Sequence, residues 1–525
     1  MNRVHLAING RRSGRLCATG LFVAQLVWSP GLLAQTDKEF EAWRQKDQQA
    51  FQQFKDEHDR QFLEFLQKDW QEWQGSQGIV PDKIPKPVEL PVAVIPPPAP
   101  APVAPPVEVS PPPPLVLPET APNVLPVPDE PVLVTPEIPP APVAPAPAVT
   151  PSPVAVPQPQ DKAEILELRF FGTDWRVSYD SALKVELGEP LDKDAISAFW
   201  KALSLAPYEG CLKQAQEVRA RMDLNDWGYY QLLQQMGAGL YGEDPNRATL
   251  FVWFMLCKSG YQAKVGYDQD RVFLLLATEQ MLFATSYFTF GDTRFYEVAA
   301  ASDKVPDLYT YDGNYPGADK RLDLRVSRPP RIGSDTLTKT LKFTFEGRDY
   351  QVPVQLERGV VDFFTHYPQT EARVYFDEAP SPETRTSLLR GLKPTVAGKT
   401  EAEAVNLLLC FVQTAFAYQV DDQQFGREKF LFPEETLFYP YSDCEDRSIL
   451  FAYLVRELLG LEVVGLDYPG HVATAVKFSE ETAGDFVLSQ GRKFMVCDPT
   501  YVNATLGMAM PQFKGVDRQV ILIHL

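Results

Sequence analysis

The sequence predicts an α+β protein carried behind a long proline-rich linker. Two observations predict the ordered part. Helical apolar spacing recurs at 192–205, 212–222, 226–241, 401–418 and 448–459, with short alternating or continuous apolar runs between and after those stretches. The last of these runs, at 462–466, 471–478, 486–488, 493–496 and 520–523, read as strands of one antiparallel sheet behind a helix. A third observation predicts the linker: 48 prolines occur in 525 residues, and most fall in one segment.

A chain of this length exceeds a single core and implies about two to four domains. The formal charge of −19 argues against a nucleic-acid partner, whose phosphates need a lysine and arginine surface. It argues equally against an anionic membrane surface.

Residues 1–34 read as a bacterial-type signal peptide. Arg3, Arg11, Arg12 and Arg15 form a basic start, 16–28 is apolar but short for a bilayer, and 29–34 supplies a Pro-Gly break and a small residue for cleavage. A periplasmic or secreted protein follows. Nothing later is apolar enough for a membrane helix, so an integral membrane protein is not expected. Residues 35–75 read as an aromatic-striped helix of coiled-coil character. Phe40, Phe51, Phe62 and Trp73 recur every 11 residues, as do Trp43, Phe54 and Phe65, which keeps the rings on one face. A stripe over 37–73 needs cover, from self-association or from an envelope partner. Residues 76–161, rich in Pro, Ala and Val, read as a disordered linker of polyproline-II character with a reach on the order of 200 Å.

Residues 162–300 carry the first copy of an internal repeat. The stretch 241–272 aligns without a gap on 441–472, with Tyr241 on Tyr441, Arg247 on Arg447, Gly260 on Gly460 and Val272 on Val472. Asp244 then stands where Cys444 stands, and Arg271 where His471 stands. The first copy is therefore expected to be a degenerate sister module, with the frame but not the chemistry. Residues 301–380 read as a small β-rich domain, with strands at 322–326, 338–346, 350–357, 360–364 and 372–376. Gly347-Arg348-Asp349 reads as a hairpin turn. Residues 381–525 form the module with chemistry.

That chemistry centres on Tyr-Ser-Asp-Cys-Glu-Asp-Arg at 441–447, directly before an apolar helical stretch. His471 opens one strand and Asp498 ends another. A helix N-terminus and an imidazolium both favour a thiolate, so Cys444 is expected to have a lowered pKa. His471 would act as base and then acid, and Asp498 would hold its tautomer. An oxyanion needs a backbone N–H and a side-chain donor, for which Gln413 is the candidate. Asp443, Glu445 and Asp446 read as helix caps and supporting partners rather than as a metal cluster. Outside the signal peptide there are Cys211, Cys257, Cys410, Cys444 and Cys497, an odd set that leaves at least one thiol free. Neither a CxxC nor a Cys/His ligand spacing is present, so no metal and no cofactor are expected.

Phe411-Val412-Gln413, Pro433-x-Glu435-Thr436-Leu437, Ser442-Asp443-Cys444-Glu445-Asp446, Gly470-His471-Val472 and Asp498-Pro499-Thr500 resemble the transglutaminase-like superfamily of papain-fold cysteine enzymes. The resemblance covers about 100 residues, from 401 to 503. It implies a papain-like catalytic domain with Cys444, His471 and Asp498 as its triad. Ser442 stands where the family usually has Gly. What the resemblance implies is a cysteine peptidase or amidase working through a thioester on a protein or peptide, with cross-linking by an amine as an alternative outcome. A non-catalytic envelope scaffold is the alternative from another class.

Overall fold

The structure is a computed structural model that describes residues 57–68, 70–79, 86, 91–93, 163–298, 307–333 and 335–523. The signal-peptide reading, the helix reading over 37–56 and most of the linker lie outside the described residues. Residues 1–64 and 65–525 form two compact units, and in the first 57–64 is helical.

The second unit opens with β1 (Trp70–Trp73), the hairpin β2 (Ala163–Phe170) and β3 (Thr173–Asp180), and helices α1 (Lys193–Leu205), α2 (Glu209–Arg221), α3 (Asp226–Tyr241) and α4 (Pro245–Lys258). Strands β4 (Ala263–Tyr267), β5 (Val272–Ala277), β6 (Tyr287–Phe290), β7 (Thr293–Glu297) and β8 (Leu308–Tyr311) follow. They form an antiparallel sheet in the order β1-β8-β4-β5-β7-β6. The helix α4 is buried continuously from Leu250 to Cys257, as a helix that is apolar all round must be.

The C-terminal half runs through the hairpin β9 (Thr336–Phe345) and β10 (Arg348–Glu357), then α5 (Arg358–Thr365), α6 (Ala372–Phe376), α7 (Pro382–Val396) and α8 (Glu401–Thr414). Next come β11 (Ala417–Tyr418), α9 (Asp421–Gln424), α10 (Pro433–Phe438), β12 (Tyr441–Ser442) and the central helix α11 (Cys444–Leu459). The chain closes with β13 (Val463–Tyr468), β14 (His471–Val476), β15 (Phe486–Ser489), β16 (Arg492–Cys497) and β17 (Gln519–Leu522). These five form one antiparallel sheet in the order β15-β16-β14-β13-β17, so the architecture is α+β.

The two sheets share one strand order. Read from its other end, the second runs β17-β13-β14-β16-β15, matching β8-β4-β5-β7-β6. Their hairpins share a register as well: Tyr287 faces Tyr296 and Phe290 faces Thr293, while Phe486 faces Met495 and Ser489 faces Arg492. Both sheets are preceded by a buried helix, α4 or α11.

Several local expectations change. The aromatic helix does not reach Trp73: β1 pairs with β8, and Trp70 and Trp73 pack on Tyr311 and Phe290 at 5.0 and 4.4 Å. The rings find cover on a sheet of their own chain, which outweighs helical spacing. The linker is not free from its start, because Ser76 and Ile79 bridge to Tyr287 and Phe283. The segment 360–364 is helical, since its apolar positions 360, 361, 363 and 364 have i, i+3, i+4 spacing despite their β-prone residue types. The segment 372–376 is also helical, and 322–326 forms no strand. The hairpin turn falls on Glu346 and Gly347, both at positive φ, one residue earlier than expected. The described part of 301–380 is shared out rather than self-contained: β8 completes the first sheet, and the β9–β10 hairpin packs on α7 and α8. The helix expected over 401–418 ends at Thr414.

Candidate active site

Cys444 is the first residue of α11, with Asp443 as its N-cap. Asp446 reaches back across that turn, accepting from the N–H of Asp443 at 3.3 Å and of Leu431 at 2.9 Å. Arg447 fixes the start of α11 against the end of α8. Its buried guanidinium donates to Ser442 Oγ at 3.1 Å, to the Gln413 carbonyl at 3.4 Å and to the Phe416 carbonyl at 3.0 Å. The last carbonyls of a helix have no partner within it, so a guanidinium fork suits that place. Burial lowers the Arg447 pKa to about 10.

A two-residue turn at Pro469-Gly470 joins β13 to β14, with Tyr468 facing His471. Gly470 has φ 72°, a conformation most residues adopt only with strain. That turn sets His471 at the first position of β14. The starts of α11 and β14 are tied twice. Ser448 Oγ donates to the Val472 carbonyl at 2.9 Å, and the Val472 N–H donates to Cys444 Sγ at 3.4 Å. The thiol is thereby held beside the residue that follows His471.

His471 Nε2 and Asp498 Oδ2 are 2.8 Å apart, and both residues are 2 % exposed. Asp498 is held by the N–H groups of Thr500 and Tyr501 on its other oxygen, at 2.9 and 3.2 Å. The ring of Phe513 stacks on the imidazole at 4.8 Å and 14°. His471 Nδ1 is buried and accepts no hydrogen bond among the described residues. A proton on Nε2, shared with Asp498, leaves Nδ1 as the basic nitrogen.

Two expectations are corrected here. Gln413 is not a free oxyanion donor. Its amide nitrogen donates to the carbonyls of Asp498, Tyr501 and Ala504 at 3.1, 2.8 and 3.1 Å, so it clamps the loop that carries Asp498. The thiol is not acidified either. Cys444 is fully buried and donates to Glu445 Oε2 at 3.1 Å. Burial, then the charge of Glu445, push its pKa well above the ordinary thiol value, against an opposing effect of Lys86. Desolvation of a buried thiolate outweighs the helix N-terminus.

The carboxylates beside Cys444 do more than cap. Lys86 inserts its ammonium among them, 2.9 Å from Asp443 Oδ2, 2.5 Å from Glu428 Oε1 and in direct contact with Glu445 Oε1, with Asp421 Oδ2 at 3.9 Å. Asp421, Glu428 and Glu445, and likewise Asp421, Asp443 and Asp446, have carboxylate oxygens within 4.8 Å of one another, close enough to share a cation. Burial first, and then mutual repulsion, raise the pKa of Asp421, Glu445 and Asp446. The sequence carried a hint of this pocket in Asp443 and Glu445 flanking the cysteine, but none for Asp421 or Glu428. Lys86 stands 359 residues from Glu445 along the chain, a separation no local pattern spans.

All five described cysteines are free thiols. A separate cavity of about 410 Å³ lies in the first half, lined by Arg219, Asp226, Tyr261 and charged residues of 319–325. It contains none of the residues placed around Cys444 and His471, and its central Arg219, Asp226 and Tyr261 are bonded to one another. No helix among the described residues is long and apolar enough to cross a membrane.

Compared with known proteins, the chain matches no protein-family model, no curated protein and no solved structure. The site itself is a thiol at a helix start, a buried histidine–aspartate pair with one ring nitrogen unbonded among the described residues, and an acidic pocket holding an ammonium.

Proposed function

We propose that the protein is an exported, papain-like thiol hydrolase that cleaves an amide bond in a protein or peptide. One observation carries the reading. The buried His471–Asp498 pair leaves Nδ1 of the imidazole without a partner among the described residues, and Cys444 Sγ accepts a hydrogen bond from the backbone of the next residue, Val472. In the reaction, Cys444 Sγ bonds to the amide carbonyl carbon while its proton passes to His471 Nδ1. The imidazolium returns that proton to the departing amine as the C–N bond breaks, leaving a thioester. Water then attacks the thioester with His471 again as base, releasing the acid and the thiol. Asp498 keeps the imidazole in the required tautomer throughout.

The matched strand order and hairpin register support reading the first half as a sister module. Asp244 there caps α4, accepting from the Arg247 N–H at 3.0 Å and pairing with its guanidinium at 2.8 Å. It performs a frame role and offers no nucleophile.

A peptide carrying a thiol-reactive electrophile tests the reading. Adduct formation at Cys444 is expected to outpace that at Cys211 and Cys410, and to be lost in His471→Ala. Equal labelling of the three thiols would rule out an activated nucleophile. A non-catalytic scaffold is the second reading, favoured by the full burial of Cys444 and its bond to Glu445. A mass shift at Cys444 during turnover of an amide substrate excludes it.

A further inference from the structure

The ammonium among the Cys444 carboxylates belongs to the proline-rich segment, not to the module that builds the pocket. The described residues of that segment are held at two points. At one end, Lys86 is 14 % exposed and its ammonium is shared by four carboxylates. At the other, the Ala93 N–H donates to the Val502 carbonyl at 2.8 Å, and the Val502 N–H donates to the Pro91 carbonyl at 2.9 Å. Val92 and Val502 make the parallel bridge between them. Pro85, Pro87 and Pro91 have no N–H, so the segment cannot extend this pairing into a ladder. A charged anchor beside the nucleophile and a short strand-addition contact close to Asp498 are the contacts by which an extended peptide binds a protein.

The pocket also has more capacity than this occupant uses. Oδ1 of Asp421 and Oδ1 of Asp443 are buried and accept no hydrogen bond among the described residues. Both residues are 1 % exposed or less. An ammonium has three donors, and four carboxyl groups surround it, so the site keeps unused acceptors with the lysine in place. Such a site selects a cation on an extended chain. The bound group is a recognition element and not an attacking amine, because an ammonium donating to carboxylates carries no lone pair.

We propose that Asp421, Glu428, Asp443 and Glu445 form a lysine-recognition subsite for an extended, proline-containing polypeptide, and that Lys86 is its resident occupant, displaced when such a chain arrives. Calling that polypeptide a substrate rests on the thiol-hydrolase reading; its binding does not.

The test uses the full chain with Cys444→Ala, so that no turnover intervenes. The probe is a fluorescent peptide copying residues 84–95, with lysine or uncharged norleucine at the place of Lys86. In the additional Lys86→Ala background the lysine peptide is expected to bind at least about tenfold more tightly than the norleucine peptide, the loss of one desolvated charged contact. Glu445→Gln with Asp443→Asn should abolish that preference. In the chain that retains Lys86 the lysine peptide should bind at least about tenfold more weakly, because the resident occupies the site. Should Lys86→Ala impair folding, the Lys86 chain supplies the answer. There, excess lysine peptide should speed cleavage after Glu89 by a glutamate-specific protease, and norleucine peptide should not. Equal affinity for the two peptides, with no effect of either on cleavage, overturns the proposal. So does binding in which calcium makes the lysine dispensable, which would make the pocket a metal site. Failure of Cys444 to turn over any amide, with lysine selectivity intact, removes the hydrolase reading and leaves the subsite standing.

Discussion

Replacing Glu445 with Gln should make Cys444 more acidic, although Glu445 is the thiol's own hydrogen-bond partner. Gln has nearly the same shape, and its carbonyl oxygen can still accept the S–H, so the change isolates charge. The Glu445 Oε2 to Sγ separation is 3.1 Å in a site with no solvent exposure. At an effective dielectric of about 20, a full charge at that distance opposes the thiolate by about 5 kcal/mol before any compensation. Lys86 compensates part of this, since it contacts the same carboxylate. After substitution Lys86 keeps Asp443 at 2.9 Å and Glu428 at 2.5 Å, so its cation stays near the sulfur. A residual effect of about 1.4 kcal/mol is already tenfold in thiolate population. The assay is the pH dependence of iodoacetamide alkylation at Cys444, read by mass spectrometry, with the ultraviolet absorbance of the thiolate as a check that does not depend on access. The Glu445→Gln midpoint should move to lower pH, with alkylation near neutrality at least about tenfold faster. An unmoved or higher midpoint would refute the claim that Glu445 holds the thiol protonated.

Other predictions follow from the same geometry. Asp498→Asn should lower amide turnover by about two to four orders of magnitude, because an amide in that place can hold the wrong imidazole tautomer; steady-state kinetics with circular dichroism as a folding control would show it. Gln413→Leu should destabilise the chain by about 1–3 kcal/mol in denaturant unfolding, since it leaves buried carbonyls of the 498–504 loop unpaired. Burial first raises the folded pKa values of Asp443 and Asp446, to about 6 and about 8. The folded chain then binds more protons than the unfolded one, so this contribution is present at low pH and is lost as pH rises through those values. The Tm difference between wild type and Asp446→Asn should therefore shift in favour of the variant between about pH 5 and about pH 8.5, as followed by calorimetry. Asp244→Ala should cost about 1 kcal/mol of stability through loss of a helix cap and leave turnover unchanged.

Much of the frame was legible because its causes are local. Alternating and continuous apolar runs located the five strands of the C-terminal sheet, but short connections account only for the β13–β14 and β15–β16 pairs; β14–β16 and β13–β17 join strands that are not chain neighbours. Apolar spacing located α1 and α3 to within a residue or two, and the body of α11, whose first turn at 444–447 precedes the apolar stretch. Cys444, His471 and Asp498 were chosen by residue type at element ends, and the fold brings His471 and Asp498 into contact and sets Cys444 against the backbone beside them. The reading failed where long-range contacts decide. Trp70–Trp73 became a strand because β8 offered it a partner far along the chain, Tyr311 facing Trp70 from 241 positions away, outside any local window. Gln413 looked like a donor to a reaction because its type allows it, but three carbonyls from a loop some 85 residues on had already taken its N–H groups.

The sequence alone located most of the elements and proposed the three chemical groups, because helical and strand periodicity and residue chemistry are written in adjacent positions. Only the tertiary structure decided the ionisation and the occupancy of the site. Those depend on how deeply Cys444 is buried, on Asp421 and Glu428 arriving from outside the motif, and on Lys86 arriving from the linker. Desolvation and Coulomb interaction act through space, and they reversed the expected direction of the thiol's acidity.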